Sequence, residues 1–188
     1  LAQTRKLADY LREHFGVKTT FLLLGGLLLL ALALRLLRLP KAVPVPGSDE
    51  PMFVEAALQI MRNGSYIPAS LRHPTLLVYL ELAVGVLRFT AGASSQLWTT
   101  PAQVQPAQLY GWARIAVSLL GTATLVPVYR IGERLYGRRA GLLGAFFLAL
   151  VPMHVTGSGQ VTPEVVATLL GLLSAWFSLN LLQTGENH

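Results

Sequence analysis

The run TTFLLLGGLLLLALALRLL, residues 19–37, is apolar apart from Thr19, Thr20 and Arg35. As a helix it is long enough to cross the roughly 30 Å hydrocarbon core of a bilayer. A segment in lipid must satisfy its backbone polar groups internally, which leaves helices or closed barrels. The run shows no strand-like alternation, so a helix is expected. Composition agrees: of 188 residues, 53% are hydrophobic and 13% charged. That is too little charge to cover a soluble domain. The expected fold class is therefore all-α and integral to a membrane. The chain has no cysteine, which removes disulfide frameworks, thiolate metal sites and cysteine nucleophiles together. Its formal net charge of +6 is scattered and flanks apolar runs, so it reads as topology and not as a nucleic-acid face.

Further apolar runs occupy residues 110–129, 140–155 and 164–183, giving four expected transmembrane helices with the first at 19–39. Residues 1–18 carry Arg5, Lys6, Arg12 and Lys18 among helically spaced apolar residues, a basic amphipathic lead-in expected on the cytoplasmic surface. The tripeptide Ala-Leu-Ala at 31–33 resembles a signal-peptide cleavage site, but the apolar run continues past it, which favours a retained span.

Residues 75–89 are ambiguous. Glu81, Gly85 and Arg88 form a polar stripe that a spanning helix would have to bury in the membrane at high cost. Charge placement decides the expectation. With this segment in the interface, the cluster Arg130, Arg134, Arg138 and Arg139 falls on the same cytoplasmic side as the basic N-terminus. Residues 40–109 are then one external segment with interfacial helices at 49–63 and 74–90. Residues 130–139 form a cytoplasmic basic loop, and 156–163 a second external loop.

Two acids draw attention within this layout. Asp49 and Glu50 open the helix 49–63, where they would complement its dipole and cap its first turn. Glu164 follows Thr162-Pro163 at the start of the last span, where the same structural explanation applies. Their shared location at the outer boundary makes a site the sharper reading. No glycine-rich phosphate loop is present.

The order of these features, with His73-Pro74 and the His154-to-Glu164 spacing, resembles the N-terminal module of polyprenyl-phosphate-dependent GT-C glycosyltransferases. It looks nearest to the protein O-mannosyltransferase and aminoarabinose transferase branch, and more distantly similar to the oligosaccharyltransferase catalytic subunit. The resemblance covers residues 20–183 and rests on the ordered set, each motif being loose by itself. It departs from the family at Ser158-Gly159, where Ser-Arg is usual, at His73-Pro74-Thr75, and in having Glu164 for an aspartate. Such enzymes are larger bundles, so the resemblance implies a fragment or a subunit that has kept one module.

What the resemblance implies is an inverting transfer of a sugar from a polyprenyl-phosphate donor to an acceptor on the external face of the plasma (inner) membrane. Asp49 and Glu50 are then the catalytic candidates, Asp49 as base and Glu50 as its helper, with Glu164 holding the acceptor or a metal. Arg114, one turn inside the second span, is the candidate cation for the departing phosphate, and His73 a further substrate-binding candidate. No cofactor is required with certainty. A divalent metal at Glu164 and His154 is the alternative source of positive charge, though the two lack compact ligand spacing. Membrane lipid, the lipid-linked sugar and other subunits or a C-terminal part are the expected partners, and nucleic acid is not. The alternatives are a non-catalytic GT-C-like membrane subunit and a transporter fragment. The transporter is disfavoured because Arg35, Arg38 and Arg114 all lie near span ends and no acid pair sits mid-membrane.

Overall fold

No proline interrupts the chain before Pro40, and the first helix uses that freedom in full: α1 runs Ala2–Leu37. The expected lead-in and first span are thus one continuous helix, whose apolar portion is Gly16–Leu37. The computed structural model describes residues 2–41, 43–45, 48–67 and 74–185, with side chains from residue 16 to 182. Among the described residues every regular element is helical.

α2, Glu50–Asn63, starts with Pro51 in its first turn and stops at Gly64, whose φ of 66° suits glycine and lets its N–H reach the Ile60 carbonyl. It buries Phe53, Val54, Ala57, Leu58 and Ile60. α3, Thr75–Ser94, packs against it and buries Leu77, Val78, Glu81, Gly85 and Gly92, the last of these under the Trp98 ring. The polar stripe of the sequence therefore faces protein. Glu81 and Gly85 are buried, and the Arg88 guanidinium lies 4.8 Å from the Trp98 ring centroid and 5.6 Å from that of Trp112. Two 3₁₀ turns, Pro101–Gln103 and Pro106–Gln108, carry the chain back to the bundle. Arg62 donates to the Val104 carbonyl and fastens this return to α2.

α4, Tyr110–Ala123, and α5, Leu125–Tyr136, join through Thr124, itself in helical conformation. Gly137, with φ of 89°, turns the chain into α6, Arg138–Leu150. Pro152 then ends that helix, holding Val151 extended at ψ 117° before the short α7, Pro152–Gly157. α8, Pro163–Gly185, completes the chain.

Among the described residues four helical segments are long and apolar enough to span a membrane, at Gly16–Leu37, Thr75–Ser94, Tyr110–Tyr136 (α4 with α5) and Pro163–Leu182. The expected number is met with a different membership. Residues 75–94 qualify, whereas the segment 140–155 is divided by Pro152 into two shorter helices. Length does not fix the course of α3, and its contacts are informative. Gly85 approaches Leu109 and Met61, and Leu76 and Leu77 share a groove with Pro163, Val166 and Leu170. Leu109 caps the start of α4, Met61 is near the end of α2, and Pro163, Val166 and Leu170 span the first two turns of α8.

Two apolar clusters result. One joins α2, α3, the return loop and the starts of α4 and α8 around Phe53, Leu77, Trp98, Val104 and Val161. The other joins α1, α5 and α6 around Leu24, Ala31, Leu125, Tyr129 and Ala145. Outside them Phe21, Leu22, Leu29, Phe147, Phe177 and Leu181 are exposed, an apolar surface that suits lipid.

The α5–α6 hairpin depends on a backbone-to-backbone approach at glycine. A Cβ on Gly141 would lie 2.5 Å from the Tyr129 carbonyl oxygen, and one on Gly132 would lie 2.8 Å from the Gly141 Cα. Gly141→Ala should therefore destabilise the detergent-solubilised protein by about 1–3 kcal/mol through overpacking. Gly171→Ala, where nothing lies within 4 Å, should be neutral or stabilising in the same thermal unfolding experiment.

Candidate functional site

Among the described residues between α1 and α2 none belongs to a regular element, and what this loop delivers is a carboxylate. Glu50, in the first turn of α2, is 0% exposed, and Arg114, in the second turn of α4, is 2% exposed. They form a forked ion pair: Arg114 Nε donates to Glu50 Oε1 at 2.9 Å and Nη2 to Oε2 at 2.7 Å. Arg114 Nη1 donates to the Pro40 carbonyl at 2.8 Å. Glu50 accepts two further bonds, from the Val45 N–H and the Val161 N–H, each at 3.1 Å. One buried pair thus ties together the end of α1, the α1–α2 connection, α2, α4 and the connection leading to α8.

Burial alone would push the Glu50 carboxyl pKa up. The Arg114 guanidinium and the two backbone N–H donors outweigh it and hold the pKa below its ordinary value of 4.5. The carboxyl is therefore anionic at neutral pH. A pair so thoroughly desolvated adds little net stability, but losing one partner strands the other charge.

A second polar node lies where α1, α4, α5 and α7 meet. Arg35 is fully buried, and donates from Nη1 to the Ala31 carbonyl at 2.8 Å and from Nη2 to His154 Nδ1 at 2.6 Å. A guanidinium has no acceptor, so Nδ1 accepts and the ring is neutral with its proton on Nε2. That proton faces Thr124 Oγ1 at 3.2 Å, whose hydroxyl donates to the Gly121 carbonyl at 2.6 Å. Ser158 Oγ donates to the His154 carbonyl at 2.6 Å, and Ser118 Oγ donates to the Ser158 carbonyl at 3.0 Å.

The site residues expected from sequence separate into groups. Glu50 and Arg114 are joined, and Arg114 directs its guanidinium at Glu50, so its charge is already paired. Asp49 holds the N-cap position of α2 but makes no side-chain cap hydrogen bond, and it is exposed. Glu164 is also exposed, in the first turn of α8. It borders a groove of about 670 Å³ whose other walls include Val151, His154, Ser158, Gln160 and Thr168. Asp49 and Arg114 are not among the residues lining that groove. Through its bond to the Val161 N–H, Glu50 nonetheless draws the loop bearing Asp49 against the connection that precedes Glu164. His73 lies outside the described residues.

His154 borders the same groove as Glu164, but both its ring nitrogens are engaged, Nδ1 by a cation. Among the described residues no group of three or more His, Asp or Glu side chains could hold a metal. Sequence reasoning missed the burial of Arg35 and the structural use of Glu50. Position could have signalled the first, since Arg35 falls four residues after Ala31 on the face that α1 buries.

A helical bundle with an apolar perimeter and a polar clamp at one end is an integral, multi-pass membrane protein. Residues 111–188 match the family model of dolichyl-phosphate-mannose-protein mannosyltransferases, a match consistent with the N-terminal module of a GT-C glycosyltransferase. No curated protein and no solved structure matches the chain significantly. The matched segment holds Arg114, His154 and Glu164; Asp49, Glu50 and His73 precede it.

Glu50→Gln should destabilise the protein by about 3–5 kcal/mol, because the Arg114 charge stays buried without its counter-ion. The sign with pH follows from the depressed folded-state pKa. The carboxylate's contribution is complete above about 4.5 and is lost as pH falls through the lower folded value. The gap between wild type and Glu50→Gln in thermal stability should therefore be constant near neutrality and narrow below pH 4.5.

Proposed function

We propose that this chain is the N-terminal module of a membrane glycosyltransferase that moves a sugar from a polyprenyl-phosphate donor to an acceptor hydroxyl at the external face, inverting the anomeric centre. The observation that carries this reading is the clamp Glu50–Arg114–Val161. It ties together the segments that bear two exposed carboxylates, Asp49 at the N-cap of α2 and Glu164 in the first turn of α8, within a chain whose segment 111–188 matches a mannosyltransferase family.

In this reading Asp49 takes the proton of the acceptor hydroxyl, whose oxygen attacks the anomeric carbon. The bond from that carbon to the phosphate oxygen breaks, and the lipid phosphate leaves with the electron pair. Glu50 is a positioning residue, since it touches Arg114 and two backbone amides and no open cavity. Glu164, beside the 670 Å³ groove, holds the acceptor. No step is assigned to a metal. The pairing of Arg114 with Glu50 also favours a second reading, a GT-C-like subunit that scaffolds a complex without catalysing transfer, because the leaving phosphate then lacks its expected cation.

Asp49→Asn separates the two. Asp49 makes no capping bond to lose, so thermal stability should change by less than about 0.5 kcal/mol. Transfer from a radiolabelled polyprenyl-phosphate sugar, measured in native membranes with every associated subunit present, should fall by about 100-fold or more. Undiminished transfer in the variant would make Asp49 structural. No transfer by the wild type under those conditions would establish the scaffold.

The same reading places residues 1–18 and 130–139 in the cytoplasm and 40–109 outside, with α3 in the interface. The contacts of α3 with the end of α2 and the start of α4 support that placement. Cysteines introduced at Asn63 and Ser94 of this cysteine-free chain should both react with a membrane-impermeant maleimide on intact cells. Labelling of Ser94→Cys only after permeabilisation would mean that α3 crosses the membrane.

A further inference from the structure

The end of the bundle opposite the Glu50–Arg114 clamp is strongly basic. Arg134 lies twenty positions beyond Arg114 along the α4–α5 span Tyr110–Tyr136. At about 1.5 Å per residue that is roughly 30 Å, the thickness of a hydrocarbon core, so the two arginines mark its two boundaries. Arg130 and Arg138 share one carboxylate, Glu133, at 3.2 and 3.6 Å, and the Tyr129 hydroxyl donates to the same group at 2.6 Å. Arg139 and Lys18 are exposed, and the Arg138 guanidinium comes within 3.8 Å of where a Cβ of Gly16 would stand.

Between α5 and α8 at this level lies a cavity of about 370 Å³ lined by Arg130, Glu133, Arg134, Trp176 and Asn180. Two guanidinium groups, an indole and an amide in this cleft are donors suited to phosphate oxygens. Glu133 holds Arg130 by one nitrogen only in a half-exposed pair, so the cleft stays net positive and Arg130 keeps donors to offer. An indole favours the boundary between headgroup and acyl chain. Beside the cleft, α8 exposes Phe177, Leu181 and Leu182. A polar cavity that opens beside a bare apolar helix face fits a molecule with a phosphate at one end and hydrocarbon at the other.

We propose that this cavity binds the headgroup of an anionic glycerophospholipid, its phosphate on Arg130 and Arg134 and one acyl chain along Phe177 and Leu181. The site lies at the membrane boundary opposite the proposed transfer site and is independent of whether transfer occurs. Lipid occupancy there would fix α8, and with it Glu164, against α5.

The test is native mass spectrometry of the detergent-purified full chain with dioleoylphosphatidylglycerol, dioleoylphosphatidylcholine or inorganic phosphate. Phosphatidylglycerol should be retained in preference to phosphatidylcholine. The double variant Arg130→Gln/Arg134→Gln should lose that retention by at least about 10-fold, as expected for removing two cations from an anionic lipid contact. Lys18→Gln/Arg139→Gln, which alters the same basic end outside the cavity, should change it less than about 2-fold. Equal retention of the two lipids would overturn the proposal, as would an equal loss in both variant pairs, which would mean diffuse charge. Displacement of the lipid by millimolar inorganic phosphate would replace lipid by free phosphate as the ligand and overturn it too. If the double variant does not fold, the wild type decides through tryptophan fluorescence. Acyl-brominated phosphatidylglycerol should quench it more than the brominated phosphatidylcholine does, and equal quenching would sink the proposal.

Discussion

Glu50 and Arg114 are sixty-four positions apart in sequence and share one desolvated fork. The arrangement of this whole end of the bundle depends on it. A carboxylate buried in this way needs its remaining lone pairs filled, and the Val45 and Val161 amides supply donors. A guanidinium buried in this way needs further acceptors, and the Pro40 carbonyl is one. Satisfying the pair therefore fixes the backbone at three points on two connections, α1 to α2 and α7 to α8. Apolar packing of α2 on α3 and α4 could tolerate small slides. A bidentate pair with three backbone contacts defines one register.

The helical, membrane-embedded class was legible from residues 19–37 and the poverty of charge, because length and apolarity are what lipid selects. Helix ends were legible where chemistry is local: Asn63-Gly64 stops α2, and Thr162-Pro163 precedes α8. What the sequence concealed was which side chains look inward. The pair Asp49-Glu50 reads as two adjacent acids of equal standing, yet one residue of helical rotation exposes the first and buries the second. Only the position of Arg114, set by packing across the fold, decides which. The same holds for Glu81 and Arg88, whose polarity argued against a buried face until α2, Trp98 and Trp112 supplied protein partners. The division of residues 140–155 was more accessible, since Pro152 is a local signal that the apolar run outweighed.

The catalytic candidates follow the same logic. Roles assigned by charge alone grouped Asp49, Glu50 and Glu164 as acids and Arg114 as a cation for phosphate. Once Arg114 and Glu50 neutralise one another, the proposed transfer has only the exposed acids Asp49 and Glu164 to draw on among these candidates. A buried ion pair performs no acid–base work at neutral pH, because releasing or binding its proton would strand a charge. It does hold neighbouring groups still, which productive geometry requires to within a fraction of an ångström.

α4 shows how that rigidity reaches Glu164. Its buried face carries Arg114, Ser118, Gly121 and Thr122, spaced by three or four residues so that they stack along one side. Arg114 holds Glu50, which takes the Val161 N–H; Ser118 takes the Ser158 carbonyl; and Gly121 admits the Ser158 side chain, whose Oγ would stand 2.2 Å from any Cβ there. The connection from Ser158 to Val161 is thus bound at both ends by one helix face, directly at the first and through Glu50 at the second. Three residues later the chain enters α8 at Glu164. The backbone that bears this carboxylate, after so short and so firmly bonded a connection, is already ordered, so that only side-chain rotamer freedom would be lost on meeting a ligand. The clamp and the serine contacts are therefore better understood as the foundation of the exposed acid than as a binding site in their own right.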